Sequence, residues 1–212
     1  MSPRPRTVSD DDILMAAALV IHRIGPANVT LADVAKEIGL SPATLVQRFG
    51  SKRGLLLALA KMGADGTDAC FAAVRADNPR PLDALVAAAT HMARMATTPE
   101  ELANGLAFLQ LDLSDKDFHA LALKSGLEVF AGYEKLLDEA IAEGSLVPCD
   151  TAALARAVGA LAGGSLIGWA IYREGNAEKW VRGDLEMLLA PYRRGKKKRA
   201  ATRRGRGRAT RS

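Results

Sequence analysis

Three helix-capping residues, Thr30, Ser41 and Ser51, stand 11 and 10 residues apart. A Ser or Thr hydroxyl that accepts from a backbone N–H two or three residues on starts a helix. Starts this close allow only two or three turns each, so the chain must form short helices that cross at tight turns. The first, over 31–38, has Asp33 three residues after Thr30, close to a capping box. Leu31, Val34, Ala35 and Ile38 recur at i, i+3, i+4 and i+7 and share one face, which leaves Lys36 and Glu37 outward. Gly39 ends the helix in the left-handed conformation that glycine adopts at little cost. Leu40 plugs the corner.

The next helix has Ser41 as its cap and Pro42 at its first position, where a missing N–H is no loss. Leu45 and Phe49 point to a core, and Pro42, Ala43, Thr44, Gln47 and Arg48 remain on an open face. A helix-turn-helix protein reads base edges through the N-terminal part of its second helix. Small residues at Ser41, Pro42 and Ala43 let the backbone approach closely, while Thr44, Gln47 and Arg48 offer hydrogen-bonding groups. Ser51 caps a further helix and is followed at once by Lys52 and Arg53. Free N–H groups beside a lysine suit a phosphate.

Residues 30–56 resemble the DNA-binding segment of the tetracycline-repressor (TetR) family of transcriptional regulators. The matching residues are Thr30, Val34-Ala35, Gly39-Leu40-Ser41, Thr44-Leu45, Phe49, Ser51-Lys52 and Leu55-Leu56. The resemblance implies an all-α, homodimeric regulator with a divergent ligand-binding domain behind the reader. Its usual outcome is repression from a palindromic double-stranded DNA operator. It implies that Thr30, Thr44 and Lys52 touch phosphates and that Ser41, Pro42, Ala43, Val46, Gln47 and Arg48 enter the major groove with their helix. Val46 stands where the family usually has a tyrosine, and Ala32 where a basic or polar side chain is common. Both departures remove polar contacts. They leave a second reading open, a ligand-binding or interaction protein with a degenerate helix-turn-helix that binds DNA only non-specifically.

Charge follows the same division. Residues 1–60 carry a net +2, residues 61–192 a net −8, and residues 193–212 hold 11 Lys/Arg and no acid. DNA repels an acidic body, so the N-terminal region and the tail are the parts expected to approach it. The tail contains no large apolar residue and is expected to be disordered; a basic tail adds sequence-independent affinity through counterion release. The expected organisation is a basic arm at 1–8 with Arg4 and Arg6, a DNA-binding domain at 9–57 with its helix-turn-helix at 30–49, a ligand-binding and dimerisation domain at 58–192, and the tail at 193–212.

Helical periodicity continues over 51–75, 82–96, 98–113, 114–143, 151–173 and 177–189, for about nine helices in all and no strand pattern. Gly159, Gly163, Gly164 and Gly168 lie inside one predicted helix. Each interior glycine costs about 1 kcal/mol against alanine, so close approach to another helix is expected there. Through the resemblance, the last two helices form the dimer surface, with Ala160, Gly164 and Gly168 facing the partner.

No catalytic motif appears. His22, His91 and His119 fall on separate helices, and Cys70 and Cys149 lack metal-ligand spacing. A non-enzyme without metal or cofactor is expected, in the cytoplasm. The opening MSPRPRTVSDDD lacks the apolar stretch of a secretory leader, and no apolar run is expected to reach the roughly 18 residues of a membrane span. The resemblance implies an effector pocket in the body. Its candidate walls are Phe71, Met92, Met95, Phe108, Phe130, Tyr133 and Trp169, with His91, Gln110 and His119 as polar anchors. Met-rich walls suit an adaptable, apolar small-molecule site.

Overall fold

The computed structural model describes residues 8–194; residues 1–7 of the expected arm and 195–212 of the expected tail lie outside the described residues. Among the described residues there are eleven α-helices and no strand beyond one isolated bridge. Helix α1 (Asp10–Asn28) begins with a full capping box. The Ser9 hydroxyl accepts from the Asp12 N–H at 3.1 Å, and the Asp12 carboxylate accepts from the Ser9 N–H at 3.0 Å. Near its end Gly25, at φ +79°, and Pro26 break the helical path. Pro26 has no N–H, so the His22 carbonyl loses its helical donor. Asn104 replaces it, donating from Nδ2 to the His22 and Arg23 carbonyls at 3.0 Å each. A Cβ at position 25 would lie 2.9 Å from the Asn104 Oδ1. Glycine is required there twice over.

Helices α2 (Leu31–Glu37), α3 (Pro42–Phe49) and α4 (Lys52–Asp65) follow, each with its expected side-chain cap, and Gly39 turns the corner at φ +68°. Ile13, Val20, Val34, Leu45 and Leu55 are buried together beneath them. Phe118 from the body joins this core, and Phe108 and Leu111 pack against its edge. The reader therefore closes only with residues from the helices behind it.

The body comprises α5 (Thr67–Asp77), α6 (Pro81–Ala89), α7 (His91–Met95), α8 (Pro99–Ser114), α9 (Lys116–Ala142), α10 (Thr151–Tyr172) and α11 (Ala177–Leu189). Helix α9 is its axis and touches α4, α5, α6, α8 and α10. A second core of Leu85, Leu137, Leu146, Val158, Val181 and Leu185 lies between α6, α9, α10 and α11.

Two helices that periodicity makes continuous are broken. The one predicted over 51–75 breaks at Gly66, whose N–H is shared between the Met62 and Gly63 carbonyls at 3.0 and 3.3 Å. The one predicted over 82–96 breaks at Thr90, whose hydroxyl donates back to the Val86 carbonyl at 2.8 Å and competes with the helical ladder. Periodicity could not register either break, because the apolar face continues on both sides.

Helix α10 also corrects an expectation. Its 22 residues are long and apolar enough to cross a membrane by length and composition alone. Leu154, Val158, Leu166 and Trp169 are buried against the body, and the Ser165 hydroxyl donates to Asp184 of α11 at 2.6 Å. Beyond α11, Arg193 pairs with Leu146, and the Arg194 N–H donates to the Ser145 carbonyl at 3.1 Å. The first two residues of the expected tail are thus held against the body.

Candidate nucleic-acid interface and effector cavity

The start of α3 is clamped from within. The Ser41 hydroxyl accepts from the Thr44 N–H at 3.2 Å and shares a second hydrogen bond with the Thr44 hydroxyl at 2.9 Å. With Leu45 fully buried, Ser41, Pro42, Ala43, Val46 and Gln47 face outward, Val46 being 49% exposed. The Gln47 side chain makes no hydrogen bond to another described residue, so its amide is open to a base edge.

Arg48 is engaged elsewhere than the sequence suggests. Its guanidinium donates to the Val8 carbonyl at 2.8 Å and to the Asp10 carboxylate at 3.1 Å, tying the last turn of α3 to the start of α1. The Lys52 ammonium donates to the Ala27 carbonyl at 2.6 Å. That carbonyl lies at the negative end of α1, which favours a cation. Thr30 is exposed, but its hydroxyl donates to the Asp33 carboxylate at 2.6 Å, which holds Asp33 below the usual carboxylate range. Thr30, Thr44 and Lys52 therefore border the open face while serving as structural braces.

Arg53 joins reader to body. It donates to Asp115 and Asp117 at 2.8 Å each and lies over the Phe118 ring, 5.7 Å from its centroid. These bonds raise the Arg53 pKa, and Arg53 in turn lowers that of Asp115. At the far end of α4, Asp65 accepts from Lys124 of α9 at 2.5 Å and pairs with Lys61. Helix α4 is thus fastened to α9 at both ends.

Beyond the second fastening lies a cavity of about 520 Å³, walled by α4, α5, α6, α7 and α9. Of the expected pocket residues, Phe71, His91, Met92 and Tyr133 meet here. The others do not. Phe108 packs on the reader core, Gln110 and His119 are exposed, and the Phe130 ring lies against Gly159. Trp169 is buried and donates from its indole to the Gly175 carbonyl at 3.3 Å. The Met95 side chain lies outside what is described. Met62, Thr67, Cys70, Ser125 and Val129 complete the wall. Sequence reading passes over them because small and mid-sized residues acquire this role only where several helices converge. Gly63 and Gly66 were the available hint.

On α10 the four glycines divide. A Cβ at Gly159 would lie 2.8 Å from the Phe130 ring, so that glycine serves the chain's own packing. Nothing lies within 4 Å of a Cβ at Gly163 or Gly164, and the Trp180 indole lies 3.8 Å from one at Gly168. Ala160 and Gly164 are exposed and Gly168 is half-buried. Ile171 and Tyr172 of α10 and Met187 of α11 are exposed by 70%, 68% and 77%.

Comparison with known proteins agrees with this architecture. Residues 13–59 match the model of bacterial regulatory proteins of the tetR family. Over 96 residues, 44% of this chain, the sequence is 40% identical to the HTH-type transcriptional regulator BetI of Agrobacterium fabrum; the match spans 46% of that relative, about half its length. A TetR transcription regulator from Haloarcula marismortui shares the fold with a TM-score of 0.72 and 15% identity, over 87% of this chain and 98% of that one. A putative transcriptional regulator from Saccharomonospora viridis, solved in complex with choline, does so with a TM-score of 0.70 and 20% identity, over 87% and 97%. The capped helix-turn-helix and the match over residues 13–59 identify a DNA-binding segment of the tetR type, and the solved regulators share the fold of the helices behind it.

Proposed function

We propose that the chain is a ligand-responsive transcriptional repressor that binds a palindromic operator as a homodimer. The observation that carries this reading is α3: a helix capped at Ser41, anchored by Leu45, and presenting Pro42, Ala43, Val46 and the unengaged Gln47 to solvent. Gln47 reads a base edge, with the adenine N6/N7 pair as its natural bidentate partner. Thr30, Ser41, Thr44 and Lys52 flank the groove and set register through the backbone, where phosphate contacts carry no sequence information. Arg48 reaches DNA only if it leaves Val8 and Asp10.

The exposed residues of α10 and α11 supply the dimer surface, with Ala160 and Gly164 at its centre and Gly168 at its edge. A dimer sets two copies of α3 in successive major grooves, about 34–36 Å apart. The cavity touches α4 at Met62 and Gly63, and the opposite end of α4 follows α3 directly. An occupant that favours a displaced α4 changes that spacing, by no more than its differential affinity for the two arrangements allows. The choline held by the Saccharomonospora viridis relative supports a small-molecule effector for this body as a class.

Selection of the full-length protein against random duplexes tests the reading. Recovery of an inverted repeat is expected, and Gln47→Ala should relax preference at one position of each half-site. Sequence-independent binding that disappears when residues 195–212 are removed would instead support the degenerate-reader alternative.

A further inference from the structure

The cavity between α4 and α9 contains a hydroxyl that the protein leaves unused. Tyr133 is only 6% exposed, lines the cavity, and packs edge-on against Phe71 with ring centroids 5.6 Å apart. Its hydroxyl makes no hydrogen bond to any described residue. No described buried side-chain polar atom is left both enclosed and unsatisfied, so this hydroxyl faces open space within the cavity. An O–H that faces open space with no protein acceptor is free to donate to a ligand that replaces water there. The other hydroxyls of the wall are occupied. Thr67 and Ser125 bond each other at 3.2 Å, and Thr67 also reaches the Gly63 carbonyl.

Charge narrows the ligand further. No Asp, Glu, Lys or Arg lines this cavity, and a charged group brought in without a counter-ion would be desolvated at large cost. The charges nearby lie in a second cavity of about 490 Å³, lined among others by Asp68, Arg75, Glu128 and Lys135. Phe71 borders both cavities and stands between them. Its ring rests on Gly132, where a Cβ would lie 2.5 Å from it. Burial pushes the Tyr133 phenol up to about 12, so it remains a protonated donor at neutral pH.

We infer that this cavity takes a neutral, mainly apolar molecule carrying a carbonyl oxygen, and that Tyr133 donates its hydroxyl to that oxygen. The inference rests on the cavity being the effector site proposed above. His91, half-buried and also lining the cavity, gives the ligand a second polar contact.

The test is calorimetric titration of the full-length protein, without DNA, using 2-nonanone, nonanoate and nonyltrimethylammonium as probes of matched length. The ketone is expected to bind wild type and to bind Tyr133→Phe about tenfold more weakly, the loss of one neutral hydrogen bond. Both ions are expected to bind at least about tenfold more weakly than the ketone. Equal ketone affinity in wild type and Tyr133→Phe, or tighter binding of either ion, would overturn the inference. Should the variant fail to fold, the carbonyl stretch of bound 2-nonanone in wild type decides: a shift to lower wavenumber than in hexane supports the bond, and an unshifted band refutes it. Because no DNA is present, failure here and failure of the duplex selection are separate results.

Discussion

The four helices of the reader and the three that follow them begin in different ways. Ser9, Thr30, Ser41 and Ser51 each accept a backbone N–H at the start of α1 to α4. Helices α5, α6 and α7 have no side chain that accepts a backbone N–H as a cap at their starts. A side-chain cap stabilises a helix by about 1 kcal/mol. The reader is therefore specified locally, helix by helix, whereas α5, α6 and α7, three of the five helices that wall the cavity, start without such a cap. A surface that must meet DNA in one geometry gains from local specification. Under the proposed effector role, uncapped walls gain from this absence, since segments of low local stability are those that rearrange on binding.

The largest expected effect comes from breaking the reader itself. Leu45 is fully buried in its core, and Leu45→Ala should cost on the order of 3 kcal/mol, measurable by denaturant unfolding. DNA binding should be lost. Self-association through α10 and α11 should survive, because that surface shares none of the reader's core. A substitution on α10 should do the reverse. Nothing lies within 4 Å of a Cβ at Gly164, so Gly164→Leu should leave the protomer folded and convert dimer to monomer in sedimentation. Gly159→Leu drives a side chain into the Phe130 ring and should instead lower the unfolding temperature. An intact Gly164→Leu dimer would remove α10 from the interface.

The smallest effect concerns the fastening of α4 to α9. Lys124, and then Lys61, hold the Asp65 carboxyl down to about 2, against an ordinary value of 3.8. A depressed carboxyl stabilises the fold above its unfolded pKa, and that contribution is lost as pH falls through the folded one. Asp65→Asn should therefore be less stable than wild type at neutral pH. The difference should shrink between about pH 4 and pH 2 and be absent below. A constant difference across that range would show that Asp65 acts through something other than its charge.

Legibility in the sequence follows the same divide. The caps at Thr30, Ser41 and Ser51, the turn at Gly39 and the anchor at Leu45 could be read in advance because each signal lies within four residues of its effect. The breaks at Gly66 and Thr90 could not, since the apolar stripe runs through both. Arg48 and Lys52 looked free because their partners, Val8, Asp10 and Ala27, are 25 to 40 residues away in the chain. In the body, bulk and polarity point to Phe71, His91, Met92 and Tyr133 as pocket walls, and these four line one cavity. Trp169, Phe130 and Phe108 were named on size alone, and each fills ordinary core or surface instead. Large side chains announce burial, but they do not announce which side of a helix faces a void.

Native-state hydrogen exchange of the unliganded full-length protein tests this contrast most directly. Amides of α1 to α4 should exchange through global opening, while those of α5 to α7 should exchange faster through local opening and slow when 2-nonanone is bound. Equal protection of the two sets, or faster exchange in α1 to α4 than in α5 to α7, would contradict a locally specified reader joined to a compliant cavity wall.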